Sequence, residues 1–470
     1  MIPELLSPAG TIKSMQYAFA YGADAIYAGQ PRYSLRVRNN EFNRLENLEA
    51  AINMARAQGK QFYLATNLSP HNDKIRSFIR DMEPIIAMKP DALIMSDPGL
   101  IMMIRERWPE QHVHLSVQAN AVNWATVKFW HNQGLTRVIL SRELSIEEIG
   151  DIKQHVPEME LEVFVHGALC IAYSGRCLLS GYMTHRDSNQ GACTNSCRWK
   201  YDTHEAKETA EGDIIPLDPA IQNRIKQPSL NQTQISTSNG HVHQWQPTTD
   251  TQTNTSIQDK IFLLQEEGRP GEYMPAYEDE HGTYIMNSKD LRAIQHIQRL
   301  AELGVDSFKI EGRTKSHFYA ARTAQLYKQA IMDASSGKAF DMKLMDKLEG
   351  LANRGYTEGF YRRHIPSDYQ NYESGNSNSV TQQFVGEILE TDDQTGMATI
   401  EVKNKFSVGD EIELMTPKGN TTFTLKHIES AKNGEAMIAA PGAGYIVKIP
   451  TPVSSIPDFS MLIRNKEPSR

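Results

Sequence analysis

The sequence predicts an α/β protein, a TIM-like (β/α)8 barrel followed by a small C-terminal antiparallel β-barrel. Three observations carry that expectation. Eight short apolar runs alternate with helical stretches over most of the chain, residues 383–470 switch to period-two alternation, and polar side chains gather where the short runs end.

The barrel strands are expected at Glu4–Ser7, Ala25–Ala28, Phe62–Ala65, Ala92–Met95, Val113–Val117, Arg137–Leu140, Leu161–Val165 and, after a long interruption, Ser307–Ile310. Helical periodicity begins near Thr11 and recurs at Asp73–Ile86, Ser145–His155, Phe318–Ala334 and Leu344–Arg354. A turn-rich stretch, Tyr356–Ser379, follows. Alternating strands are then expected at Phe384–Ile388, Ala398–Val402, Glu411–Leu414, Thr422–Leu425 and Tyr445–Ile449, with turn residues such as Pro417-Lys418-Gly419-Asn420 between them. The domain reading is a barrel over residues 1–335, a connector over 336–382 and the C-terminal β-barrel over 383–470.

The interruption between strands seven and eight has two parts. Residues 167–199 hold all four cysteines, and about 207–257 lose periodicity. Within the second part, Asn231 to Ser256 is dominated by Asn, Gln, Ser and Thr, too polar to offset its ordering entropy by burial, and is read as a mobile surface excursion.

The chain has 470 residues with 49 Lys plus Arg against 57 Asp plus Glu, a net charge of −8. No global polycation is available for nucleic acid, so any RNA contact needs a local patch. Residues 307–363 offer one, with eleven cations against six acids, whereas residues 383–450 have six against ten. RNA phosphates are therefore expected on the helices after strand eight, Arg362 and Arg363 included. The start Met1-Ile2-Pro3-Glu4-Leu5-Leu6 lacks a signal-peptide pattern and no apolar run approaches the ~18 residues of a membrane span, so a cytoplasmic protein is expected.

Strand ends of a parallel barrel are where its chemistry sits. Here they carry Asn67, Ser96 and Asp97, Gln118 and Asn120, Arg142 and Glu143, His166, and then Lys309, Glu311 and Arg313. One polar strand end merely meets water; six in succession favour a lined pocket. His166 is a candidate proton carrier or a structural histidine, and Lys309 either faces the pocket or forms an internal ion pair with Glu311.

The cysteines are spaced Cys170-x6-Cys177-x15-Cys193-x3-Cys197. Four thiolates suit a [4Fe-4S] cluster or a structural zinc, and the first gap is wide for a zinc knuckle, which favours iron-sulfur. Tyr173 and Ser174 between the first two are candidates to hydrogen-bond the sulfurs.

Glu4-Leu5-Leu6-Ser7-Pro8-Ala9-Gly10, Gly22-Ala23-Asp24-Ala25-Ile26-Tyr27-Ala28-Gly29, Phe164-Val165-His166-Gly167-Ala168-Leu169-Cys170, Tyr173-Ser174-Gly175-Arg176-Cys177 and Lys309-Ile310-Glu311-Gly312-Arg313 resemble the collagenase-like U-type peptidase family. Within it, the stretch Tyr33 to Phe42 and the whole-length layout are similar to the branch that hydroxylates tRNA. The resemblance covers nearly the whole chain apart from the polar insertion. It implies a [4Fe-4S] cluster on the four cysteines. It also implies oxygen-independent, prephenate-dependent formation of 5-hydroxyuridine at the tRNA wobble position. Prephenate carries two carboxylates, for which Arg36, Arg38, Arg142, Lys309 and Arg313 are the cations in place. On this reading His166, Arg142, Glu143, Lys309 and Glu311 carry catalysis, while Arg36, Arg38, Gln118, Asn120 and Arg313 hold the co-substrate. A peptidase is the competing reading, although neither a His-Glu-x-x-His helix nor a Gly-x-Ser-x-Gly elbow is present. A noncatalytic RNA-binding protein with a structural metal is the third.

Overall fold

The computed structural model describes residues 2–30, 32–35, 40–169, 289–312, 315–351, 355–362, 382–392, 394–453 and 455–466, together with short strands between 201 and 283. Eight parallel strands form the barrel: β1 (Glu4–Pro8), β2 (Ala25–Gly29), β3 (Gln61–Thr66), β4 (Ala92–Met95), β5 (Val113–Leu115), β6 (Arg137–Ile139), β7 (Glu160–Ala168) and β8 (Ser307–Ile310). Each pairs with the next, and β8 pairs with both β7 and β1, so the sheet closes as the strand-helix rhythm predicts. Around it run α1 (Ile12–Ala20), α2 (Leu45–Ala57), α3 (Asn72–Ala87), α4 (Pro98–Arg107), α5 (Trp124–Asn132), α6 (Ile146–His155), α7 (Ile297–Glu302) and α8 (His317–Ser335).

Local chemistry sets several boundaries. Ser145 and Glu148 form a reciprocal capping box that starts α6, and Asp97 caps α4 ahead of Pro98 at its first turn. Strand β5 stops two residues short of the expected Val117. The Ser116 hydroxyl accepts from Gln118 N, and the chain turns into a 3-10 segment, Val117–Ala119, that closes on Asn120 with φ +51°. The helix expected at Leu344–Arg354 is α9 (Lys343–Glu349).

The seam between β7 and β8 is irregular. Ser307, Phe308 and Lys309 pair with Glu162, Val163 and Phe164, but Ile310 pairs with His166, leaving Val165 as an extra residue. A bulge of one residue reverses the facing of everything after it. Beyond it, β7 pairs antiparallel with a short strand, Asp290–Arg292, which pairs in parallel with Tyr356–Thr357. Gly167 (φ +102°) is packed so closely that a Cβ there would lie 2.2 Å from the Glu311 carbonyl oxygen.

Residues 197–286 form a separate compact unit. It contains a five-stranded antiparallel sheet, with Gly282–Thr283, Tyr273–Asp279, Lys260–Glu266, Tyr201–Glu208 and Ile214–Pro216 adjacent in that order. The first residues of the stretch expected to lack structure, Lys207, Glu208 and Ile214 to Pro216, thus belong to strands. Asn231 to Ser256 lies outside the described residues.

The C-terminal region is an eight-stranded antiparallel sheet built on the long strand Gln382–Asp392, which pairs with Met397–Val402 on one side and Met461–Asn465 on the other. Among the described residues the two outermost strands do not pair with each other, so it is an open counterpart of the closed barrel expected. Two register shifts bend the long strand. Val385, Ile400, Phe406, Leu414, Val447 and Leu462 form its core.

This sheet packs on α1 and α8. Arg322, fully buried on α8, donates to both Glu413 oxygens at 2.9 and 3.3 Å. Glu387 collects Lys13, His317 and Lys403, and Phe318 stacks on Phe384 with ring centroids 4.9 Å apart. Tyr21 Oη donates to the carbonyls of Met415 and Phe459, both at 3.0 Å. Among the described residues, no helix is long and apolar enough to cross a membrane.

Candidate active site

Several contacts join strands across the sheet and can be made only through the barrel interior. Arg137 on β6 reaches Glu4 on β1 at 2.6 Å and Glu162 on β7 at 3.2 Å. Tyr63 on β3 donates to Glu4 at 2.6 Å and packs edge-on against His114 of β5. Lys309 on β8 donates to Glu162 at 2.8 Å and sits 4.2 Å from the centroid of the Tyr27 ring. The interior therefore holds a chain of alternating charges, Glu4, Arg137, Glu162 and Lys309, where barrels of this class usually stack branched aliphatic side chains. Each buried charge has an opposite neighbour, the condition for tolerating it away from water. Burial, aided by the cations of Arg137 and Lys309, drives His114 well below the usual histidine range and keeps it neutral.

Lys309 thus forms an internal ion pair, but its partner is Glu162 rather than Glu311. Glu311 serves the layer above. Tyr27 Oη donates to the Ile310 carbonyl at 3.0 Å and lies 3.3 Å from Glu311 Oε2, while an Arg142 Nη2 stands 3.8 Å from the same oxygen. The Arg142 guanidinium is seated 3.9 Å above the centroid of the Phe164 ring. At 3.8 Å the Arg142–Glu311 contact is an ion pair but not a direct hydrogen bond.

The remaining strand ends form a polar floor beside this pair. Ser96 Oγ donates to the Asn67 carbonyl at 3.0 Å, and Asn67 Nδ2 donates to Ser116 Oγ at 3.2 Å. Asn120 Nδ2 reaches the Gln118 carbonyl at 3.4 Å, and Ser141 bonds to Glu143. Arg142, Glu143, Glu311, Gln118 and Asn120 therefore lie on strand ends of one mouth. Asp97 is committed to capping α4 through Leu100 N.

His166 is placed differently. The extra residue at Val165 turns it out of the interior and toward α8, where it is almost fully buried among Tyr319, Tyr327 and Tyr356, with Tyr327 Oη 3.2 Å from Nδ1. Burial, with Arg292 and Lys315 nearby, pushes it down to about 3, so it is neutral at physiological pH. The tyrosines around it were not anticipated from sequence. Tyr327, Tyr361 and Tyr319 donate to the carbonyls of Val165, Phe164 and Glu311 at 2.7, 2.6 and 2.7 Å, and the Val165 carbonyl also accepts from Ala293 N at 2.9 Å, so the tyrosines bind the strand ends of the irregular seam to the helical layer. Tyr27, the floor of the Arg142–Glu311 pair, was likewise missed. Its only sequence signal is that an aromatic in β2 places a hydroxyl at barrel-interior depth. Arg36, Arg38, Arg313 and Arg363 and the cysteines Cys170, Cys177, Cys193 and Cys197, with Tyr173 and Ser174, lie outside the described residues.

Of the eleven cations expected to receive RNA after strand eight, two are committed inside the protein and three more pair with carboxylates nearer the surface. Lys309 pairs with Glu162, Arg322 with Glu413, Lys328 with Asp24, Lys338 with Asp333 and Arg362 with Glu358.

Comparison with known proteins places these features in a lineage. The family model described as Peptidase family U32 matches residues 10–371, and that of the Peptidase family U32 C-terminal domain matches residues 380–463. The chain is 61% identical over 464 residues to the tRNA hydroxylation protein P of Escherichia coli, covering 98% of this chain and 97% of that protein. It is 57% identical to the protein of the same name from Haemophilus influenzae, covering 98% and 96%. It is 32% identical to tRNA hydroxylation protein P1 of Bacillus subtilis, covering 95% and 91%.

Proposed function

The chain belongs to peptidase family U32, and from that membership we propose that it is a tRNA uridine hydroxylase, forming 5-hydroxyuridine at the wobble position with prephenate as co-substrate and without molecular oxygen. The observation that carries this reading is the near-complete, 61% identical match to a tRNA hydroxylation protein. The mouth chemistry agrees with it. A guanidinium stacked on Phe164, beside a carboxylate and a floor of hydroxyl and amide groups, suits a small ligand with carboxylate and hydroxyl oxygens.

In this reading Arg142 takes a carboxylate of the co-substrate, Glu311 and Phe164 hold the guanidinium in place, and Tyr27 fixes Glu311. Glu143, Gln118 and Asn120 supply polar contacts, and Arg36, Arg38 and Arg313 provide further cations. Lys309 acts through the interior, holding Glu162 and packing under Tyr27 and Phe164. Cys170, Cys177, Cys193 and Cys197 would hold a [4Fe-4S] cluster, which supplies one-electron chemistry or structural support when bound. A peptidase reading finds less support. Among the described residues, Ser141 bonds to a carboxylate and His166 is turned away from the mouth, so no nucleophile–base–orienter set assembles there.

The test is nucleoside mass spectrometry of tRNA from a strain lacking this protein and any oxygen-dependent parallel route. Loss of 5-hydroxyuridine, restored by the wild-type chain, is expected. Unchanged 5-hydroxyuridine would overturn the assignment.

A further inference from the structure

Charge is distributed unevenly around the barrel. Residues 30–81, which carry α2, β3 and most of α3, contain nine Lys and Arg against five Asp and Glu, a net +4. Residues 97–162, from α4 into β7, contain six against ten, a net −4. Arg36 and Arg38 lie outside the described residues; without them the first segment still has seven cations against five acids, and a polyanion is drawn to it more than to residues 97–162.

In the first segment two guanidinium groups share one carboxylate and a third lies one helical turn away. Arg32, three residues beyond β2, places Nη1 2.7 Å from Asp81 Oδ2 with 52% of its side chain exposed. Arg80 on α3 has Nη2 3.5 Å from Asp81 Oδ1 and is 78% exposed. Arg76, one turn earlier on the same helix face, is also exposed. Asp81 lies between Arg32 and Arg80, and Asp73 precedes Arg76 by three residues, so three arginines face two carboxylates and one positive charge is in excess. The patch is held rigidly, because Tyr33 Oη donates to Asp81 at 2.8 Å and ties the loop after β2 to α3. The same loop runs to the mouth: Leu68 N donates to the Tyr33 carbonyl at 2.8 Å, and Leu35 N donates to Asn67 Oδ1 at 3.3 Å. Asn67 is part of the polar floor. Among the described residues of this segment, Leu45 is the sole exposed large apolar side chain, so the buried apolar anchors on which a protein partner would depend are missing.

We propose that Arg32, Arg76 and Arg80 form a docking surface for the phosphate backbone of the RNA substrate, placing a nucleotide of the bound strand over the mouth. Guanidinium groups match phosphate oxygens bidentately, and contacts of this kind fix register without reading sequence. The proposal rests on the tRNA reading above. It moves the RNA surface from the segment after β8, where Lys309 and Arg322 are buried in ion pairs, to the loop after β2 and the outer face of α3.

The test is the affinity of the full-length protein for unmodified tRNA, measured by fluorescence anisotropy between 50 and 200 mM NaCl. Converting Arg76 and Arg80 together to glutamate should weaken binding about tenfold or more, and the slope of log K against log salt should fall by about 1.5 as two phosphate contacts are lost. Lys343 and Lys347, exposed on α9, changed together to glutamine, should leave both quantities within about twofold of wild type. Thermal melting checks that each variant is folded. If the reversal destabilises the chain, Arg76→Gln with Arg80→Gln carries the same expectation at reduced size. Wild-type affinity and slope in folded Arg76/Arg80 variants would overturn the docking surface while leaving the tRNA reading intact. Loss of binding on changing Lys343 and Lys347 instead would return the surface to the segment after β8. Absence of tRNA binding by the wild-type protein would sink the tRNA reading itself, and this proposal with it.

Discussion

Arg322 and Glu413 meet in a two-point pair sealed from solvent, one from the middle of α8 and the other from the C-terminal sheet. Gln382 and Asn420 complete the shell by donating to the same carboxylate at 3.0 and 2.6 Å. A buried pair of this kind adds little net stability but makes any other docking of the sheet expensive, since it would strand a charge.

The first prediction follows from that asymmetry. Arg322→Ala should cost about 3–5 kcal/mol, because Glu413 is left buried without its cation. The double change Arg322→Met with Glu413→Leu should cost clearly less. Urea denaturation of the three proteins measures the difference, and equal losses in single and double variants would show that the pair is not the source.

Gly167 should not accept a side chain. Its φ of +102° is unfavourable for any L residue, and the clash is with backbone, which cannot rotate away. Gly167→Ala should lower stability by about 2–4 kcal/mol. Gly396→Ala, at a positive φ with open space around its Cβ position, should cost less than half as much in the same melting experiment.

His166 carries a pH prediction of definite sign. An unfolded histidine protonates near pH ~6.5, whereas burial in the native state delays protonation until about 3. The unfolded state therefore binds more protons between these values. The stabilisation is fully present above the unfolded value and is lost as pH falls toward the folded one, at up to about 1.4 kcal/mol per pH unit. His166→Gln should flatten the decline in urea midpoint between pH 7 and pH 4. Parallel declines in the two proteins would mean that His166 is protonated in the native state.

Arg142 tests the mouth. Arg142→Lys keeps the charge but loses the planar fork and its stacking on Phe164; on the proposed function it should raise the KM for prephenate about tenfold to a hundredfold, as loss of a bidentate charge-assisted contact does. Affinity for tRNA should stay within about twofold. A fall in kcat with KM unchanged would place Arg142 elsewhere in the reaction.

The barrel was legible because each strand is a short apolar run bounded by turn or cap residues, and the period-two strands after Gln382 were legible for the same reason. What periodicity cannot reveal is partnership. Lys309 and Glu311 are two residues apart and read as neighbours on one strand face, yet the nearest carboxylate to Lys309 comes from Glu162 on the adjacent strand. His166 has the same parity as Glu162 and Phe164, so alternation aims it inward. The single extra residue at Val165 reverses it, and no composition signal marks that bulge. The strands Tyr201–Glu208 and Lys260–Glu266 are separated by 51 residues, mostly polar, which concealed their pairing. Charge counting located a positive segment after β8 but could not show that five of its cations are paired with carboxylates, two of them in buried pairs.

The seam between β1 and β8 has a consequence for how the chain matures on the ribosome. Ser307 donates to Glu4 across 303 positions, so the first strand waits for its neighbour through roughly 15–60 s of synthesis at ordinary elongation rates. During that interval β1 is an open edge, and Glu162 has been made before Lys309 exists to meet it. Growing half-barrels are thus exposed to pairing with other nascent chains, and slower translation prolongs that exposure. Chaperone demand in the cell should therefore track elongation speed over residues 170–306 more closely than it tracks the stability of the finished protein.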